Sequence, residues 1–118
     1  MRKFWESIYC PNYITGYNPF LLRHMNKAIE KLVYAVNNRK KIVIYGVSSV
    51  DGICSIASLS LILMYLNADV EYLIYEEEDA KKSIDCNKIK NDIDFLGADL
   101  LITLGVDLKS ESEVKLCN

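Results

Sequence analysis

The segment Val47-Ser48-Ser49-Val50-Asp51-Gly52 follows a short apolar run and holds residues whose chemistry could serve a ligand. Ser48 and Ser49 stand where a helix would begin, and the free backbone N–H groups of a helix N-terminus attract phosphate. An ordinary turn explains the same pair equally well. Asp51 offers a carboxylate, the hard oxygen ligand that Mg or Mn prefers. It also fits a structural role, capping a helix that starts at Gly52, and one carboxylate alone favours that reading. Gly46 and Gly52 suit a tight strand-to-helix turn, but no Gly-Lys-Ser/Thr follows, so the loop is not a P-loop. A second carboxylate, Asp107, lies just past Gly105 at the end of the last apolar run.

Other reactive residues carry less. His24 is the one histidine, and it sits near Arg23, Lys27 and Lys31 on an early helical segment, which reads as an exposed helix residue. Cys54 has no base placed near it in sequence and reads as a small buried residue. Glu76-Glu77-Glu78-Asp79 is a contiguous acidic run whose side chains diverge, hence a solvated loop. The four cysteines, Cys10, Cys54, Cys86 and Cys117, are widely spaced with no C-x-x-C pair. That argues against zinc and against a disulfide framework, and for reduced thiols in a cytoplasm. Phe4, Trp5, Tyr9, Tyr13 and Tyr17 form an aromatic N-terminal arm over residues 1–17. Aromatics of this kind can stack bases, but few Lys or Arg are interleaved, so core packing is the expectation.

The elements that position these residues are legible in outline. The chain has 118 residues, one domain's worth, with 51% hydrophobic and 25% charged residues, and ordinary globular composition. Its formal net charge of −2 disfavours unaided binding to nucleic acid, although Arg39, Lys40 and Lys41 could form a locally basic face. The longest apolar stretch, Ile53 to Leu66, falls short of the roughly 20 residues that span a bilayer and reads as a buried helix. Asn18 and Pro19 are a helix-start pair, and the apolar spacing predicts a helix from Pro19 to about Asn37. Ile42 to Tyr45 reads as a buried strand, followed by a helix from Asp51 to about Leu66. A strand at Val70 to Tyr75, a helix at Lys88 to Leu96 ended by Gly97, and a strand at Leu100 to Leu104 complete the order. Alternating helices and strands predict an α/β fold with a parallel sheet of Rossmann-like β-α-β units and right-handed crossovers.

Several of these segments together resemble the RecJ-like single-stranded-DNA exonucleases of the DHH phosphoesterase family. Asn18-Pro19-Phe20-Leu21-Leu22 with Met25 and Ala28 is similar to the helix before the family's first motif. Lys41-Ile42-Val43-Ile44-Tyr45-Gly46 and Val50-Asp51-Gly52-Ile53-Cys54-Ser55 are similar to that motif. Ala68-Asp69-Val70-Glu71-Tyr72 and Gly97-Ala98-Asp99-Leu100-Leu101-Ile102-Thr103 resemble the approaches to the next two strands. The likeness runs in register from Asn18 to about Val114, weakest between Glu76 and Asn87, and it implies that residues 18–118 form the first half of a DHH-type domain.

The departures bear on activity. The family's first motif, D-x-D-x-D-G, places metal-binding aspartates where this chain has Val47, Ser49 and Asp51, so only Asp51 keeps a carboxylate. The second-motif aspartate falls on Gly105, with Asp107 two residues on as a conceivable substitute. The Asp-His-His motif would fall beyond Asn118. The resemblance therefore implies a RecJ-like module without catalysis, with no cofactor, or with Mn or Mg at Asp51 if any metal site survives. Ser48, Ser49, Asp51, Gly52 and Asp107 are the candidate residual ligand site. The runner-up is the N-terminal portion of a metal-dependent exonuclease completed by another chain or by further sequence; a third reading is a protein-interaction domain only. A homodimer or a complex with another protein is expected, with weak or no nucleic-acid binding and no membrane association.

Overall fold

Ile42–Val47 is an apolar run whose only residue without a side chain is Gly46, and it forms strand β1, buried at all six positions. A strand buried on both faces belongs in the middle of a parallel sheet. The computed structural model places it there. The structure describes Trp5, Ile8, Tyr9 and residues 17–76 and 86–105. Within these, β1 lies between β2 (Val70–Tyr75) and β3 (Leu100–Leu104), all parallel, in the order β2-β1-β3. The register runs from Ile42↔Val70 to Val47↔Tyr75 on one side, and from Ile42↔Leu100 to Gly46↔Leu104 on the other. This is the α/β arrangement expected from the alternation of elements.

The chain divides into two compact units, Met1–Lys31 and Leu32–Asn118. In the first, Asn18 caps a short 3-10 turn, Pro19–Leu21, its Oδ1 accepting the Phe20 N–H at 3.0 Å. The expected continuous helix from Pro19 is interrupted there. His24 adopts a left-handed conformation, φ 64°, and helix α1 (Met25–Asn37) begins only after it. A left-handed residue cannot continue a right-handed helix, although the apolar spacing runs through the break. His24 is thus an exposed turn residue rather than a helix residue. Trp5 and Tyr9 stack with ring centroids 5.9 Å apart, both exposed, and Tyr17 is exposed as well. Phe4 and Tyr13, the other aromatics of the expected arm, lie outside the described residues.

In the second unit, α1 ends at Arg39, φ 50°, with Lys40 N–H donating to the Ala35 carbonyl at 2.8 Å. Helix α2 (Val50–Tyr65) ends the same way: Asn67, φ 57°, follows Leu66, and Ala68 N–H donates to the Leu63 carbonyl at 2.9 Å. Helix α3 (Cys86–Leu96) ends at Gly97, φ 66°, the predicted left-handed cap, with Ala98 N–H donating to Ile93. All three are Schellman-type ends that satisfy the last carbonyls.

Side chains alternate across the sheet, and each face has its own core. Ile42 and Ile44 meet Ala35 of α1 and Ile56 and Leu63 of α2 on one face. Tyr45 and Val47 meet Tyr75 and Ile89 of α3 on the other, with the Tyr45 and Tyr75 rings stacked at 4.7 Å. The segment Ile53 to Leu66 is not buried all round, as its apolar composition suggested. Gly52, Ile56, Ser60 and Leu63 form its buried stripe, while Ile53, Cys54, Leu61, Ile62, Met64 and Tyr65 face outward. Cys54 is an exposed free thiol, not a buried residue, because helical spacing rotates it away from that stripe. No described helix is long and apolar enough to cross a membrane.

Candidate functional site

The connection from β1 through α2 to β2 runs to one side of β1, and the connection through α3 to β3 returns to the other. The carboxyl ends of β1 and β3 therefore flank a point where the chain direction across the sheet reverses. In open α/β sheets, such a point is where ligands bind. Val47 to Gly52 and Gly105 lie there.

Two glycines let α2 approach this end of the sheet. A Cβ at Gly46 would run into Ile56, whose Cγ1 would stand 2.8 Å away. A Cβ at Gly52 would collide with the carbonyl of Val47, with its carbon at 3.0 Å. The first turn of α2 thus rests directly on the last peptide of β1. Ser48 N–H donates to the Tyr75 carbonyl at 2.9 Å, which holds the turn to the end of β2.

Ser49, not Asp51, is the N-cap. Its backbone is extended and its Oγ accepts the Gly52 N–H at 3.1 Å. Both residues are good caps and lie two positions apart, so sequence alone favoured the wrong one. Asp51 sits in the first turn, exposed, where its charge suits the positive end of the helix dipole. Ser48 is exposed and Gly52 buried. Ser49 Oγ is already engaged by Gly52. Asp107 lies outside the described residues, as do Glu77 to Asp79.

The side chain of Val47 turns into the apolar cluster of Tyr45, Tyr75 and Ile89. Across the strand ends, a Cβ at Gly105 would stand 3.1 Å from Val47 Cγ2. Gly105 itself has φ 71° and is exposed. The neighbouring Tyr75 hydroxyl is buried without a hydrogen-bond partner, and that burial pushes its pKa up. Among the described residues, no three of His, Cys, Asp and Glu come together as a metal site would require. Among the described residues the donors do not fit a caged divalent ion: the Val47 side chain is apolar and packed, the Ser49 hydroxyl already accepts a hydrogen bond, and Gly105 has no side chain.

The opposite end of the sheet holds a feature that sequence reasoning missed. Lys41 Nζ lies 3.0 Å from Asp69 Oδ1 and 3.5 Å from Glu71 Oε1, while the backbone N–H of Lys41 donates to Asp99 Oδ2 at 3.0 Å. The hydrogen bond to Asp69 chiefly, and the charges of Asp69 and Glu71, raise the Lys41 pKa. Lys41 thereby joins the starts of all three strands, and its charge is taken out of the basic face expected with Arg39 and Lys40. The signal was present in the repeated Ala-Asp that precedes each outer strand.

No family model matches the sequence, and no curated protein matches it. Among solved structures, it is similar to the crystal structure of RecJ in complex with Mn2+ from Thermus thermophilus. The TM-score is 0.64 at 22% identity, over 86% of this chain. The chain spans 14% of the length of that RecJ. The fold is RecJ-like.

Proposed function

We propose that this chain is a RecJ-like domain of the DHH phosphoesterase type that has lost its metal cage and works without catalysis, as a cytoplasmic binding or structural module. The observation that carries this reading is the state of Val47. It occupies the position at which the family resemblance calls for the first metal-binding aspartate, and it is 5% exposed, packed among Tyr45, Tyr75 and Ile89. The Thermus protein is a Mn2+ complex. An ion of that class needs several converging oxygen ligands, and metal-assisted hydrolysis needs the ion held firmly enough to generate hydroxide and stabilise charge. Asp51 alone is a helix-start carboxylate beside a serine already used as a cap.

The test pairs a cleavage assay with a binding measurement. The chain is incubated with 5′-labelled single-stranded DNA and Mn2+, and Mn2+ binding is followed by electron paramagnetic resonance. Uncut DNA and an unperturbed Mn2+ spectrum are expected. Fluorescence anisotropy should give an affinity for the oligonucleotide weaker than ~10⁻⁵ M at physiological salt. Cleavage that disappears in Asp51→Ala would overturn the proposal in favour of a nuclease portion that retains chemistry.

A further inference from the structure

The exposed faces of the three helices differ in one respect. Helix α1 carries Lys27, Glu30 and Lys31 outward, and α3 carries Lys88, Lys90 and Asp94. Helix α2 presents no charge beyond its first turn, for no charged residue occurs from Gly52 through Ala68. Its outward surface holds the i+4 ridge of Ile53, Ala57, Leu61 and Tyr65, with Met64 beside it, and beyond the first turn its exposed polar residues are limited to Cys54, Ser55 and Ser58. Ile53 is 46% exposed, Leu61 67% and Tyr65 87%. A helix that meets water normally carries charged or polar residues on that side.

The sheet extends this surface. Tyr72 lies opposite Ile44 and Ile74 opposite Gly46, which places both on the face covered by α2. Both are about half exposed. Together with the α2 ridge they offer on the order of 700 Å² of apolar surface, close to the roughly 800 Å² per partner of a standard interface. Scattered exposed apolar residues need no explanation, but a patch of this size marks an interaction site.

We infer that this face of α2, with Tyr72 and Ile74, is the contact surface between two copies of this chain. The size of the patch suits a second copy, since each partner of a standard interface supplies about this much surface. A twofold axis sets the same patch against itself, with residues on the axis meeting their own copies, and an uncharged ridge does so without like-charge repulsion. The ridge is also shaped for self-packing: i+4 ridges of two helices interdigitate, and Ala57 at the middle of the ridge lets the backbones approach. The inference stands independently of the loss of the metal cage.

The test is sedimentation equilibrium of the full chain from 1 to 100 μM, with Leu61→Glu and Met64→Lys as separate variants and Phe95→Glu, on the charged face of α3, as control. The wild-type chain and the control are expected to be dimers. Each α2 variant should weaken association by at least ~30-fold with an unchanged circular dichroism spectrum. Labelling of exposed Cys54 by a maleimide, read by mass spectrometry, gives a second measure that needs no variant: it should slow as concentration rises through the dimerisation range. A monomeric wild-type chain throughout, a dimer indifferent to both α2 variants, or Cys54 labelling independent of concentration would each overturn the inference. So would binding of the wild-type chain to phosphatidylcholine vesicles in place of self-association, lost in Leu61→Glu.

Discussion

Val47 and Gly105 lie against each other across the carboxyl ends of β1 and β3, so close that a Cβ on the glycine would stand 3.1 Å from a methyl of the valine. The resemblance assigns an aspartate to each of these two positions. In this chain the pair is instead a filled apolar contact at the reversal point of the sheet. The two departures are neighbours in space, and one side chain occupies the room that the other position lacks.

Val47→Asp should therefore destabilise the fold by about 3 kcal/mol or more, since a carboxylate would enter an apolar cluster without a partner. Urea denaturation measures this. Excess Mn2+ should not restore the loss in the single variant. In the triple variant Val47→Asp, Ser49→Asp, Gly105→Asp, which restores the carboxylates that the resemblance calls for, Mn2+ should raise the thermal midpoint.

The two potential caps at the start of α2 can be separated. Ser49→Ala should cost about 1 kcal/mol, the usual loss for an N-cap, whereas Ser49→Asp should hold stability to within about 0.5 kcal/mol. Asp51→Ala should cost less than Ser49→Ala, about 0.3–1 kcal/mol, and its effect should shrink in high salt because a helix-dipole interaction is screened. Equal losses from both alanine variants in 1 M NaCl would contradict the assignment of Ser49 as the cap.

Close approach at the two glycines makes a further pair. Gly46→Ala meets the flexible end of Ile56 and should cost about 1–3 kcal/mol, partly recovered by adding Ile56→Val. Gly52→Ala meets the Val47 carbonyl, which is backbone. No side-chain substitution should recover it. Recovery of Gly52→Ala by Ile56→Val would show that α2 docks differently.

Tyr75 gives a pH dependence with a definite sign. Burial raises its phenol pKa above the ordinary 10.0. Below pH 10 both states keep the proton and the difference is silent. As pH rises past 10, the unfolded chain loses the proton while the folded chain holds it, so stability falls until pH exceeds the raised folded value. Tyr75→Phe removes a buried hydroxyl that has no partner. It should stabilise the protein by about 1 kcal/mol and reduce the loss of stability above pH 10, as read from thermal midpoints between pH 8 and 11.

The strands were legible because Ile42–Tyr45, Val70–Tyr75 and Leu100–Leu104 are short runs rich in β-branched, aromatic and other apolar residues, bounded by polar or glycine residues. Gly97 was legible as a cap because a glycine after a periodic run has one favoured use. The break at Leu22–His24 was not, since apolar spacing continues through it and nothing local forces His24 into a left-handed conformation. Cys54 was misjudged because an apolar composition all round hides which stripe of α2 meets the sheet. The contact between Val47 and Gly105 depends on the β1–β3 register, which local pattern does not encode. The Lys41 junction likewise joins residues far apart in sequence, although the repeated Ala-Asp was in plain view.

The position of β1 between its two neighbours also orders events in time. Its link to β2 closes a separation of 28 residues at Lys41–Asp69, and its link to β3 a separation of 58 at Lys41–Asp99. Closing a longer loop carries more entropic cost, and non-local parallel pairing slows folding. The unit of β1, α2 and β2 is thus expected to close before β3 joins. Until it does, one whole edge of the most apolar strand stands open, and a second unfinished copy can pair there as readily as the chain's own third strand. Recovery after refolding should accordingly fall as protein concentration rises, even when the finished fold is stable.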